Sequence, residues 1–173
     1  MGNIFLLCKV AVSHTAIFFN LKSIEMKKLT MIFAVLALMA GTSAFASTGD
    51  KVTKAVKTEF QKNFSAAENV TWEIDEGFYF ASFELNGKTV NAAYDETGTL
   101  VGLSRTLQLS AVPLSVSQSL RSAYPDYVIA NTVTEVVYEG QTFYYATAEG
   151  TTRILKLKCF SDGLIYVEKK IEK

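Results

Sequence analysis

A chain of 173 residues with 17 Lys and Arg against 17 Asp and Glu carries no net formal charge, which excludes the broad basic surface that nucleic-acid binding demands. With only two Cys and one His in that length, neither a disulfide scaffold nor a His-rich metal site is available.

The first recognisable segment begins at Met26. Lys27 and Lys28 precede an apolar run from Leu29 to Ala40, and small residues then lead to Ala44, Phe45 and Ala46. A basic start, an apolar middle and an A-x-A site make a secretory signal peptide over residues 26–46, cut after Ala46. The alternative is a membrane anchor, for which the run is short of the roughly 20 residues a spanning helix needs. Residues 1–25 read as an upstream extension with translation starting at Met26, or as a long n-region starting at Met1. Leu6 breaks the myristoylation pattern, and no Cys follows the signal's small residues. The expected location is the periplasm or the medium, with no membrane association after cleavage.

Cleavage leaves Ser47 to Lys173, one domain's worth of chain. Cys8 and His14 depart, Cys159 becomes the sole thiol, and 13 Lys and Arg face 16 Asp and Glu, a net charge of about −3. In the stretch 50–64, Val52, Ala55, Val56, Phe60 and Phe64 recur at helical spacing, so an amphipathic helix is predicted. Short alternating runs follow at 70–75, 78–85, 88–94 and 99–106, separated by Glu76-Gly77, Asn86-Gly87 and the stretch 95–98. Asn-Gly tolerates positive φ at both turn positions, so these runs predict an antiparallel meander.

Pro113 then opens a second amphipathic stretch with Val116, Leu120, Ala123 and Tyr124, stopped by Pro125. Strands are predicted over 128–138, 143–148, 151–160 and 164–168. Gly77 and Gly87 lie 63 residues before Gly140 and Gly150, and Phe60 and Phe64 lie 60 before Leu120 and Tyr124. Two copies of an α-ββββ unit, over about 50–107 and 112–171, account for that spacing, as does the chance recurrence of turn glycines.

The copies sort the strand faces. Tyr79, Ala81, Phe83 and Leu85 form one apolar row, with Tyr144, Ala146 and Ala148 in the second copy, and Ala92 and Tyr94 match Leu155 and Leu157. That side is assigned to the helices. The other side would show Phe78, Phe80, Phe143 and Tyr145 to solvent, with Lys156 and Lys158 nearby. Trp72 reads either as a core ring under the first helix or as an interface anchor.

Little here supports catalysis. Without His after cleavage there is no Ser-His-Asp or Cys-His mechanism and no usual zinc site, so no catalytic residue, metal or cofactor is expected. Cys159 falls on the side of Leu155 and Leu157, which favours a buried inert thiol over a nucleophile or an intermolecular disulfide. Asp75-Glu76 and Asp95-Glu96 sit at turns where acids stay solvated, and neither has calcium-loop spacing. Asn63 and Asn69 match the glycan acceptor pattern behind a bacterial-looking signal.

A helix ending near an aromatic, "NVTWEIDEGFYFASFELNGK" with its Trp, its aromatic-x-Ala-x-Phe strand and its Asn-Gly turn, and "AYPDYVIANTV", "YEGQTFYYA" and "SDGLIYVEKK" in the same order resemble the PepSY-like, β-lactamase-inhibitor-like periplasmic proteins of Gram-negative bacteria. The resemblance spans about residues 50–170. It implies an α+β fold in which a tandem α-ββββ repeat forms one curved antiparallel sheet with two helices packed on one face, the open face being the binding surface. It does not imply β-lactamase inhibition, since no inhibitory loop can be matched here. Glu135 stands where Trp72 would pair and Thr142 where Tyr79 would, so the halves are not strictly equivalent. The functional expectation is a non-enzymatic binding module of the protease- or hydrolase-inhibitor kind, with another protein as partner. The alternatives are a homodimer closed by the same patch and a carrier of a small ligand.

Overall fold

The computed structural model describes residues 49–173; the expected signal peptide over 26–46 and the expected upstream extension over 1–25 lie outside them. After a short 3-10 turn at Gly49–Lys51, helix α1 runs over Lys54–Asn63, and four strands follow: β1 Glu68–Asp75, β2 Phe78–Leu85, β3 Lys88–Tyr94 and β4 Leu100–Gln108. A second 3-10 turn at Leu109–Ala111 leads into α2 Leu114–Ala123, and then come β5 Val128–Ile129, β6 Thr132–Tyr138, β7 Gln141–Glu149, β8 Arg153–Phe160 and β9 Ile165–Glu172. The strands make one open antiparallel sheet in the order β1-β2-β3-β4-β6-β7-β8-β9, with β5 pairing beside β6 on β7. The architecture is α+β.

Local chemistry places the helix ends. Thr53 caps α1, its hydroxyl accepting from the Val56 amide at 3.3 Å, and Pro113 opens α2, where its missing N–H costs nothing. Both helices stop at an aromatic residue whose amide still donates back four residues, Phe64 to Phe60 and Tyr124 to Leu120. Asn86 and Gly87 both take positive φ in the β2–β3 turn, as the two-residue hairpin requires.

The predicted strand over 128–138 is interrupted. The Ala130 amide still donates to the Thr147 carbonyl of β7 at 2.9 Å, and at Asn131 the chain turns aside, its carbonyl accepting from the Leu109 amide at 2.7 Å. Strand β9 runs to Glu172, beyond the predicted 168, because it continues to pair with β8 even though most of its residues are exposed.

The helices pack on one face of the sheet, in two clusters. Val56 and Phe60 of α1 meet Trp72, Ala81, Phe83, Ala92 and Tyr94, and Val116 and Leu120 of α2 meet Val133, Tyr144, Ala146, Leu155 and Leu157. Pairing of Leu103 with Val137 and of Arg105 with both Glu135 and Val90 shows that the two clusters share a face. Trp72 is therefore a core ring, its centroid 5.1 Å from that of Phe60 in an edge-on contact, and it is only 8% exposed. The anchor reading has no exposed ring to act with. Glu135 does occupy the position matching Trp72: it pairs with Tyr144 as Trp72 pairs with Ala81. There it forms an ion pair with Arg105 in the seam between the clusters.

Candidate functional site

The chemistry that the helix face holds is structural. Cys159 is fully buried, and burial pushes its thiol up to about 11, so at neutral pH it stays protonated and inert. Burial would by itself raise the Asp95 carboxyl, but hydrogen bonds from the hydroxyl and amide of Thr97 and from the amide of Thr99 outweigh it and hold the group below its usual range. Asp95 closes a turn. Among the described residues no group of His, Cys, Asp and Glu is arranged to hold a metal.

The opposite face is where the remaining side chains converge. On β2 the residues Phe78, Phe80, Ser82 and Glu84 point away from the helices, and cross-strand pairing carries that face onward. Phe80 pairs with Ala93, which pairs with Gly102, which pairs with Tyr138; Ser82 pairs with Asn91, which continues through Ser104 and Val136 to Phe143 and Phe160. Tyr145 pairs with Lys158 and Thr147 with Lys156. The six residues Phe78, Phe80, Phe143, Tyr145, Lys156 and Lys158 thus share one face, although they come from strands far apart in the chain.

Two of them are not where a solvent-facing row would put them. Phe80 is 2% exposed and Phe143 5%, because with Ala93, Val136 and Tyr138 they form a third buried cluster that, among the described residues, contains no helix residue. Ala93 and Gly102 offer no bulk beside Phe80, so a ring can settle over them where larger residues would hold it out. The accessible aromatic surface belongs instead to Phe78, Tyr145 and Phe160, which are half-buried around that cluster. Lys158 places its ammonium 4.2 Å from the Phe143 centroid, a cation–π contact, and Lys156 donates to the Thr147 hydroxyl at 2.9 Å.

Sequence reasoning placed Tyr145 on this face but missed Asn91 and Ser104, which are set into it. Asn91 is 6% exposed and its amide nitrogen donates to the Ser104 hydroxyl at 3.3 Å, but its Oδ1 has no hydrogen-bond partner. The Tyr145 hydroxyl is likewise buried and unpartnered; burial and the nearby Glu168 carboxylate raise its pKa far above the ordinary tyrosine value, so it stays a phenol. Asn91 was findable, since it interrupts an apolar strand two positions before Ala93 on the same side.

A buried hydroxyl without a partner costs roughly 1–3 kcal/mol. Tyr145→Phe is accordingly expected to raise the unfolding free energy by about 1–2 kcal/mol, measured by urea denaturation. A decrease would show that the hydroxyl is bonded in the free protein.

No protein-family model matches the chain, and no curated protein matches it. Solved structures do share its shape. A DUF2874 family protein from Bacteroides ovatus superposes with a TM-score of 0.61 at 25% identity, covering 72% of this chain and 89% of its own. A BLIP-like protein from Bacteroides fragilis gives 0.60 at 20% identity, with 70% and 87% covered. The fold is BLIP-like. A Bacteroides eggerthii protein assigned provisionally to the periplasm gives 0.60 at 19%, with 70% and 88% covered. The likeness bears on the β-lactamase-inhibitor-like side of the resemblance drawn from sequence; the PepSY label has no counterpart in these descriptions. No helix of the described residues is long and apolar enough to cross a membrane.

Proposed function

We propose that this chain is an exported, periplasmic, non-enzymatic binding module that holds a protein partner on the open face of its sheet. The observation carrying the reading is a single surface on which half-buried rings of Phe78, Tyr145 and Phe160 surround a buried aromatic cluster that, among the described residues, no helix residue joins. Aromatic groups on a rigid sheet make contact area at little entropic cost, which is why they dominate binding hot spots. A BLIP-like neighbour supports an inhibitor-type module over a catalyst. In this reading the halves are two copies of one PepSY-like α-ββββ unit, and their divergence at Glu135 and Thr142 makes the face unequal from end to end.

The test is affinity capture from the periplasm with the wild-type chain and with Phe78→Ser/Phe160→Ser. Phe80 is a poor choice, since its burial would mix folding with binding. Loss of two hot-spot rings should cut recovered partner at least tenfold while circular dichroism stays native. Undiminished recovery sinks the assignment of this face.

A further inference from the structure

The open face is electrically two-ended. On β1 and β2 it carries Glu68, Glu73 and Glu84, and on β8 and β9 it carries Lys156, Lys158 and Lys169, with the Glu168 carboxylate near Tyr145 set against them. Those ends are five to seven strand spacings apart in the sheet order, or about 25–35 Å at roughly 4.8 Å per strand. The screening length at physiological salt is about 8 Å, so within one molecule the two ends do not neutralise each other.

We propose that this face takes a second copy of the chain, packed face to face about a two-fold axis running parallel to the strands between β4 and β6. The proposal rests on the reading of the face as a binding surface and names its occupant. Four strands of the sheet path lie on either side of that axis. The rotation therefore lays β1 over β9, β2 over β8 and β3 over β7 while leaving position along the strands unchanged. Acidic strands meet basic ones, twice per dimer. An axis perpendicular to the strands would instead stack β1 on β1, carboxylate against carboxylate.

The register sharpens the match. Asn91 and Phe143 lie in one cross-strand row, so the rotation sets the Asn91 of one copy over Phe143 of the other, one same-face position from Tyr145. In the neighbouring row, which holds Glu84 at one end and Tyr145 and Lys158 at the other, Glu84 comes to lie over Lys158. One operation answers the charges at both ends of the face.

Charge reversal at exposed positions tests it. Chain expressed at full length and purified should sediment as a dimer at micromolar concentration, more weakly as salt is raised. Glu68→Lys/Glu84→Lys makes both ends basic and Lys156→Glu/Lys169→Glu makes both ends acidic; each alone should be monomeric with native circular dichroism. Mixed in equal amounts, the two variants should form a heterodimer. A monomeric wild type, a dimer that neither variant disturbs, or a mixture that stays monomeric overturns the proposal. If the chain is monomeric but Phe78→Ser/Phe160→Ser still abolishes capture of another protein, self-association falls and the binding face stands.

Discussion

Phe60→Ala is expected to destabilise the protein by about 3–5 kcal/mol, the range for emptying a buried aromatic site. Phe60 is the hub of the first helix's packing: its ring lies 5.1 Å from both Trp72 and Phe83 in edge-on contacts, 5.5 Å from Phe64 and 6.3 Å from Tyr94. Each such pair adds about 0.5–1.5 kcal/mol beyond area burial. Four rings lose a neighbour together, and rings of that size cannot collapse into the gap without leaving their own contacts. In a thermal scan the loss should appear as a fall in midpoint of roughly 10–20 °C. Lys57→Ala, exposed on the same helix, should shift stability by under about 0.5 kcal/mol. A Phe60→Ala protein within 1 kcal/mol of wild type would mean that α1 is held by something other than this cluster.

Phe60 was legible from helical spacing because a helix on a sheet must bury one stripe, and that demand is local in sequence. The β2 row of Tyr79, Ala81, Phe83 and Leu85 was legible for the same reason: a period of two, with a helix to cover it. The burial of Phe80 was not. It depends on Ala93 and Gly102 lying beside it and on Val136 and Phe143 arriving from the second half, none of which β2's own alternation reports. Strand β9 was cut short because an edge strand with most residues exposed imposes no hydropathy pattern beyond what its pairing requires. The break at Asn131 escaped for a related reason: it is made by a carbonyl reaching the amide of Leu109, and no side chain announces a backbone bond. The unpaired Asn91 Oδ1 is an absence of partners, which only the assembled sheet reveals.

The second large effect concerns how α2 sits on the sheet. Gly163, in the turn between β8 and β9, has φ +94°, and a Cβ there would lie 3.0 Å from the carbonyl oxygen of Ser115 and 2.6 Å from the Ser119 hydroxyl. The Ser119 side chain can rotate away. The Ser115 carbonyl belongs to the helix backbone, which is tied to the neighbouring residue of the turn by the Ser115 hydroxyl donating to the Ser161 carbonyl at 2.6 Å. Gly163→Ala should therefore cost the strain of a left-handed alanine plus an overpacking term, together about 2–4 kcal/mol.

Gly140→Ala separates those contributions. Its φ is +73° but no atom lies within 4 Å of the added Cβ, so only backbone strain is charged, about 1–2 kcal/mol. The difference between the variants in urea denaturation is the cost of pressing a methyl group against the α2 backbone. Equal losses would mean that the helix shifts freely to admit a methyl group. Gly98 repeats the arrangement in the first half, with φ +89° and a Cβ that would lie 3.1 Å from the backbone of Ala55 in α1. Both helices are thus seated against turn backbone on one face, while the rings and lysines proposed to bind stand on the other. A Gly163→Ala chain that loses stability yet keeps its partner-binding strength, assayed below its unfolding transition, would place binding in the sheet and leave the helices the work of stabilising it.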